Sequence, residues 1–260
     1  TVFFRKDFMI RKYFLVILAL FSFPVFAEDE DISAGIYTIN SPTAFTLPRA
    51  GFDVSMLAYD RGGMEFKTIV GVHDAIYIGV SLDVDHAVGK EKADANTPGV
   101  VAKLKLTDGW ESFPISIALG YDSFYIGAYG KVESSGRRNE YASSKYNRKI
   151  CGPYFAITKP LFAFGSEQYL TFGMRLPVQP DYVPKDATYF ASLDIPLGTM
   201  FAFKAEGEKV YYNFKRKEEW LGNLGLKMNF TPNAGVMLAV IFQDDETPCR
   251  ILKVEYASSF

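Results

Sequence analysis

The sequence predicts an all-β fold, an antiparallel transmembrane β-barrel of roughly 12 strands, with 10 and 14 as the neighbouring counts. Three observations carry this. Period-2 alternation of apolar and polar residues recurs almost everywhere after Arg49, and helical periodicity is absent from the mature chain. The alternating segments run roughly nine to eleven residues, the length a tilted strand needs to cross an outer membrane. The chain ends on ILKVEYASSF, with Leu252, Val254, Tyr256, Ser258 and Phe260 on one strand face and Lys253, Glu255, Ala257 and Ser259 on the other.

That ending resembles the closing strand of bacterial outer-membrane β-barrels, in which alternating apolar residues lead to a terminal aromatic. The resemblance implies an insertion signal at Tyr256 and Phe260, read by the barrel-assembly machinery. It also implies a location in the bacterial outer membrane and contact with outer-membrane lipid.

From the N-terminus, Met9 to Ala27 reads as a cleaved secretory signal. Arg11 and Lys12 supply the charged start, Tyr13 to Phe21 the apolar run, and Val25 and Ala27 the small residues before the cut. The run is too short for a membrane anchor, and Pro24 interrupts its end. Residues 1–27 are therefore upstream sequence plus signal. Residues 28–49 form an N-terminal periplasmic or plug segment, in which Pro42 and Pro48 argue against a central strand. Residues 50–260 form the barrel.

Within the barrel, Ile76, Ile78, Val80, Leu82 and Val84 oppose Tyr77, Gly79, Ser81 and Asp83. Val100, Ala102, Leu104 and Leu106 oppose Lys103 and Lys105. Phe113 to Ala128 reads as one long strand, which keeps the strand number even. Further on, Leu170, Phe172, Met174 and Leu176 oppose Thr171, Gly173 and Arg175. Leu224, Leu226, Met228 and Phe230 oppose Asn223, Lys227 and Asn229, and Val236, Leu238, Val240 and Phe242 form the apolar face of the penultimate strand. Short turns fall on one side, at 73, 108–112, 162–167, 196–198 and 231–233. Longer connections fall on the other, at 85–97, 129–150, 178–187 and 207–219, the asymmetry of periplasmic turns and outer loops.

If the apolar faces meet lipid, the lumen collects Asp53, Glu65, Lys67, Asp83, Lys103, Lys105, Asp122, Arg175, Asp194, Lys204, Glu206, Lys227, Lys253 and Glu255. Acids and bases are matched in this set. Cross-strand ion pairs bridging a narrow or partly filled interior satisfy such a mixture, whereas a single-sign ring would point to a selectivity filter.

Composition excludes other classes. The formal charge of −2 offers no basic field for nucleic acid. Cys151 and Cys249 have no zinc-site spacing, and the topology sets them far apart around the barrel, against a disulfide. No cofactor motif is present. The two histidines are His73, in an expected periplasmic turn, and His86, which follows Asp83 and Asp85 at an expected outer end. Rim acids beside a histidine could serve a barrel protease or lipase, but a polar loop start is the simpler reading. The basic stretches Arg137 to Lys149 and Lys215 to Lys217 lie in expected outer loops, where cations can meet lipopolysaccharide phosphates or simply face water.

The series INSPTAFTLPRAGFDVSM, Gly62-Gly63, NTPGVVAKLKL, FPISIALGYD, GPYFAITKPL and RILKVEY resembles the YjbH-type group of outer-membrane barrels. That resemblance implies a barrel associated in some members with exopolysaccharide production, and no catalytic residues. The expected function is non-enzymatic: passage of small polar solutes, or support of exopolysaccharide export or envelope structure. Three alternatives stand beside it. One is a barrel enzyme working near His86, the second is a soluble periplasmic β-barrel binding an apolar ligand, and the third is a loop-mediated adhesin.

Overall fold

A computed structural model describes residues 35–110, 114–127, 149–163, 165–178, 187–212, 217–243 and 248–260. Its strands are β1 (Gly51–Tyr59), β2 (Gly63–His73), β3 (Ile76–Asp85), β4 (Asp94–Ala95), β5 (Gly99–Thr107), β6 (Ser116–Tyr125) and β7 (Lys149–Ala163). The second half adds β8 (Ser166–Arg175), β9 (Thr188–Leu197), β10 (Phe201–Tyr212), β11 (Lys217–Thr231), β12 (Ala234–Gln243) and β13 (Cys249–Ser259). The two-residue β4 pairs with the outer end of β3. The other twelve strands form an antiparallel ring in chain order, closed where β1 pairs with β13 from Gly51 opposite Ser259 to Tyr59 opposite Ile251. Full closure leaves no unpaired edge, the condition for a sheet in lipid.

The alternation resolves as the pattern demands. On β3, Ile78 and Val80 are more than half exposed, while Tyr77, Ser81 and Asp83 between them are buried. Leu238, mid-way along β12, is 63% exposed and its neighbours Met237 and Ala239 are buried. Apolar side chains therefore cover the outside of the ring, which fits lipid and reverses the arrangement of a soluble barrel. Trp110, Phe162, Phe230 and Phe260 are exposed at the rim where β1 starts and β13 ends, while Tyr189 and Trp220 sit near the opposite rim. Such aromatic girdles mark the two membrane interfaces.

Two expected elements change. The connection expected at 207–219 is mostly strand, because β10 runs to Tyr212 and β11 starts at Lys217. Gly207, at the start of the expected loop, lies opposite Gly222 in the β10–β11 ladder. The expected long strand 113–128 is shorter, with β6 covering Ser116–Tyr125, and Asp122 lies inside it as the single-strand reading had it. Residues 129–148 of the loop expected at 129–150, with Arg137 to Arg148 of its basic stretch, and 179–186 of the loop expected at 178–187 lie outside the described residues, as do the signal segment, Lys215 and Arg216. At the β1–β2 turn, Gly62 adopts φ 72 with the Val88 carbonyl where a side chain would stand, so glycine is required there.

Candidate functional site

The barrel interior holds the segment Gly35–Pro48. Thr38 N–H donates to the Ser41 carbonyl at 2.9 Å, closing a tight turn between the bridged Tyr37 and Pro42. That turn aims three successive amides at one side chain. Glu206, from β10, accepts the N–H groups of Ile39 at 3.1 Å, Asn40 at 3.0 Å and Ser41 at 2.9 Å, and also the Asn223 side-chain amide. Consecutive backbone donors around an anion form a nest, and here the anion belongs to the wall.

Further wall groups hold the backbone on either side. Lys103 Nζ donates to the carbonyls of Ile36 and Phe45, each at 3.0 Å. Thr158, hydrogen-bonded to Thr171 at 2.8 Å, accepts the Ala44 N–H at 2.8 Å. Thr38 donates to Ser192 at 2.7 Å. The Tyr37 hydroxyl donates to Asp122 at 2.7 Å, and burial, reinforced by the Asp122 charge, raises that phenol well above its usual 10.0. Tyr37 is thus a neutral donor. The segment leaves the lumen where Arg49 N–H meets the Asp74 carboxylate at 2.8 Å, and the chain then enters β1.

The fourteen charged residues expected to line the lumen fall into groups. Lys103, Asp122 and Glu206 touch the segment directly. Arg175 pairs with Asp122 at 3.1 Å and also with Glu208, while Lys204 pairs with Asp194. Across β2, β11 and β13, Lys67 lies 3.7 Å from Glu65, and both Lys227 and Lys253 pair with Glu255. Lys67 also stacks 3.5 Å above the Phe124 ring. Asp53 faces the same region from β1. Lys105 pairs with Asp108 in the β5–β6 connection, away from the segment. Asp83 accepts from Tyr59 at 2.7 Å and from Asn96 near the outer end.

Two features escape the sequence reading. Glu208 shares the inward parity of Lys204 and Glu206, but the expected loop at 207–219 hides it. The interior is also not polar throughout. Ile36 and Ile39 of the segment join Leu57, Ile69, Leu221, Ile241 and Ile251 in one buried apolar cluster, drawn largely from the outer ends of their strands. The interior is therefore a packed core towards the outer end and a polar network around the segment. No period-2 rule reveals inward apolar residues, since those strands are apolar on both faces.

The histidines do not form a hydrolytic constellation with described residues. His86 Nε2 lies 3.0 Å from Glu91, and His73 Nδ1 accepts the Ala75 N–H in the turn. Cys151 and Cys249 are not joined in a disulfide; Cys151 Sγ shares a hydrogen bond with the Tyr121 hydroxyl at 3.2 Å, and Cys249 Sγ accepts from Gln243 at 3.7 Å.

No protein-family model matches the chain, and no curated protein matches it. Among solved structures, an outer-membrane channel from Pseudomonas putida F1 is similar with a TM-score of 0.52 at 11% identity, covering 83% of this chain and 98% of that one. The KdgM porin in complex with disordered oligogalacturonate has a TM-score of 0.49 at 14% identity, covering 81% and 99%. The NanC porin has a TM-score of 0.48 at 11% identity, covering 80% and 99%. With closure, strand length and outward apolar face, the fold is that of a bacterial outer-membrane β-barrel.

Proposed function

We propose that this protein is a non-enzymatic outer-membrane channel for small polar solutes whose lumen is closed by its own segment Gly35–Pro48. The supporting observation is the chemistry of the Glu206 contact. Glu206, Lys103 and Thr158 bind backbone atoms of the segment rather than particular side chains. Such contacts hold a strand-like occupant in place and leave a polar wall when it withdraws.

The test is planar-bilayer conductance of the folded protein and of a variant lacking residues 35–48. Rare, brief openings of the full chain and sustained current from the deletion are expected. A deletion barrel that shows the same heat-dependent gel mobility yet stays silent overturns the channel reading. That outcome would favour the support of exopolysaccharide export or envelope structure, the role implied by the YjbH-type resemblance.

A further inference from the structure

Beside the buried segment, at the rim where β1 starts and β13 ends, a cavity of about 490 Å³ opens between the segment's two ends and the β11–β13 wall. Its size lies within the roughly 300–1,000 Å³ common for small-molecule sites. Ile36, Leu47 and Met200 give it apolar walls, and Asp53, Lys227 and Glu255 give it charge.

The charges are arranged asymmetrically. Lys227 and Lys253 both pair with the single carboxylate of Glu255, so that triad retains a surplus positive charge. Asp53 contributes a carboxylate to the same cavity, makes no direct hydrogen bond or ion pair with a described side chain, and meets the charges of Lys253, Lys67 and Lys227 only at longer range. A carboxylate without a direct hydrogen-bonding partner gains when a donor cation arrives. A cavity with an acid and a base that face it without contacting each other, beside an apolar wall, complements a molecule carrying both charges on a short apolar body.

We propose that this cavity binds small zwitterions of the amino-acid type with an apolar side chain. The ligand ammonium faces Asp53, its carboxylate faces Lys227, and its side chain lies against Ile36, Leu47 and Met200. This names a solute class for the channel, and it rests on the channel reading only for what the bound solute does next.

The test is calorimetric titration of the full, folded chain in detergent with leucine, 3-methylbutylamine and 4-methylpentanoate, which share one apolar body and differ in charge. Leucine should bind at least tenfold more tightly than either single-charge analogue. Asp53→Asn should weaken leucine at least tenfold while leaving 4-methylpentanoate unchanged. Lys227→Gln should do the converse, sparing 3-methylbutylamine. Lys227→Arg, which keeps the charge, should retain leucine. Absence of leucine binding, equal binding of the three ligands, or an Asp53→Asn variant of normal mobility shift and undiminished leucine affinity each overturns the site. Conductance separates the two readings. A conducting barrel that ignores leucine loses this site alone, whereas a silent barrel that binds leucine loses the channel alone.

Discussion

Glu206 and Asn40 meet at 3.0 Å across a sequence separation of 166 residues, a wall carboxylate accepting the backbone N–H of the segment that fills the barrel. The same carboxylate also takes the amides of Ile39 and Ser41, so one side chain fixes the turn. Hydrogen bonds to a charged acceptor contribute about 1.5–3 kcal/mol each, and losing the charge weakens all three together. Glu206→Gln keeps the shape and removes the charge. In planar bilayers it should open the barrel more often than the native chain, and the amides of residues 39–41 should exchange hydrogen faster. Unchanged exchange at those three amides would show that Glu206 does not hold the turn.

Three inward glycines lie opposite inward aromatic residues: Gly63 opposite Tyr59, Gly120 opposite Tyr154 and Gly173 opposite Phe190. In each pair the ring covers the place where a glycine side chain would stand. The ring fills space the glycine leaves and pins the register of its strand pair. Gly173→Ala should therefore destabilise the barrel by about 1–3 kcal/mol through overpacking. The check is the urea concentration at which the unheated gel mobility is lost. In a Phe190→Ala background Gly173→Ala should cost less, because the displaced ring is then absent. An equal cost in both backgrounds would contradict the ring-over-glycine account.

The exposed faces and the closing strand were legible because their signal is local. Alternation over a single strand determines which residues face out, and Leu238 or Phe172 needs no knowledge of its partners. The interior was legible only as a list of charges. Which acid meets which base depends on register, and Arg175 reaches both Asp122 and Glu208 from strands far apart in the chain. The pairing of Gly207 with Gly222 likewise exists only once β10 and β11 are aligned. The filling of the lumen was harder still. Gly35–Pro48 carries no charged side chain, and its partners see mainly its backbone, which every sequence shares.

Phe260 is 91% exposed, and its ring lies 5.0 Å from that of Phe52 on β1, next to the strand that closes the barrel. The closing strand's resemblance to other outer-membrane barrels makes this ring an assembly signal, an expectation separable from a role in the folded barrel. Phe260→Ala should lower the amount of protein reaching the outer membrane in cells while leaving refolding into detergent micelles unchanged. Quantitative membrane fractionation beside a refolding assay reads the two effects apart. Equal losses in both assays would make the ring a structural element instead of a signal.

Arg175 offers a test of the buried charge network that does not involve the segment's backbone contacts. Its guanidinium lies 3.1 Å from Asp122 and pairs also with Glu208, with all three side chains almost fully buried, and Asp122 in turn holds Tyr37. Removing one partner from a buried ionic group leaves uncompensated charge and typically costs about 3–5 kcal/mol, whereas replacing the whole group with neutral residues can be close to neutral. Arg175→Leu should therefore shift the urea midpoint strongly downwards. The triple variant Arg175→Leu, Asp122→Asn, Glu208→Gln should recover most of that shift, since no buried charge is then unpaired. The asymmetry matters more than either value alone. If the triple variant is as unstable as Arg175→Leu, the stabilisation lies in the packing of the arginine stem against Tyr154 and Phe190, over whose rings the guanidinium sits at 5.9 and 5.4 Å, and not in the ion pairs.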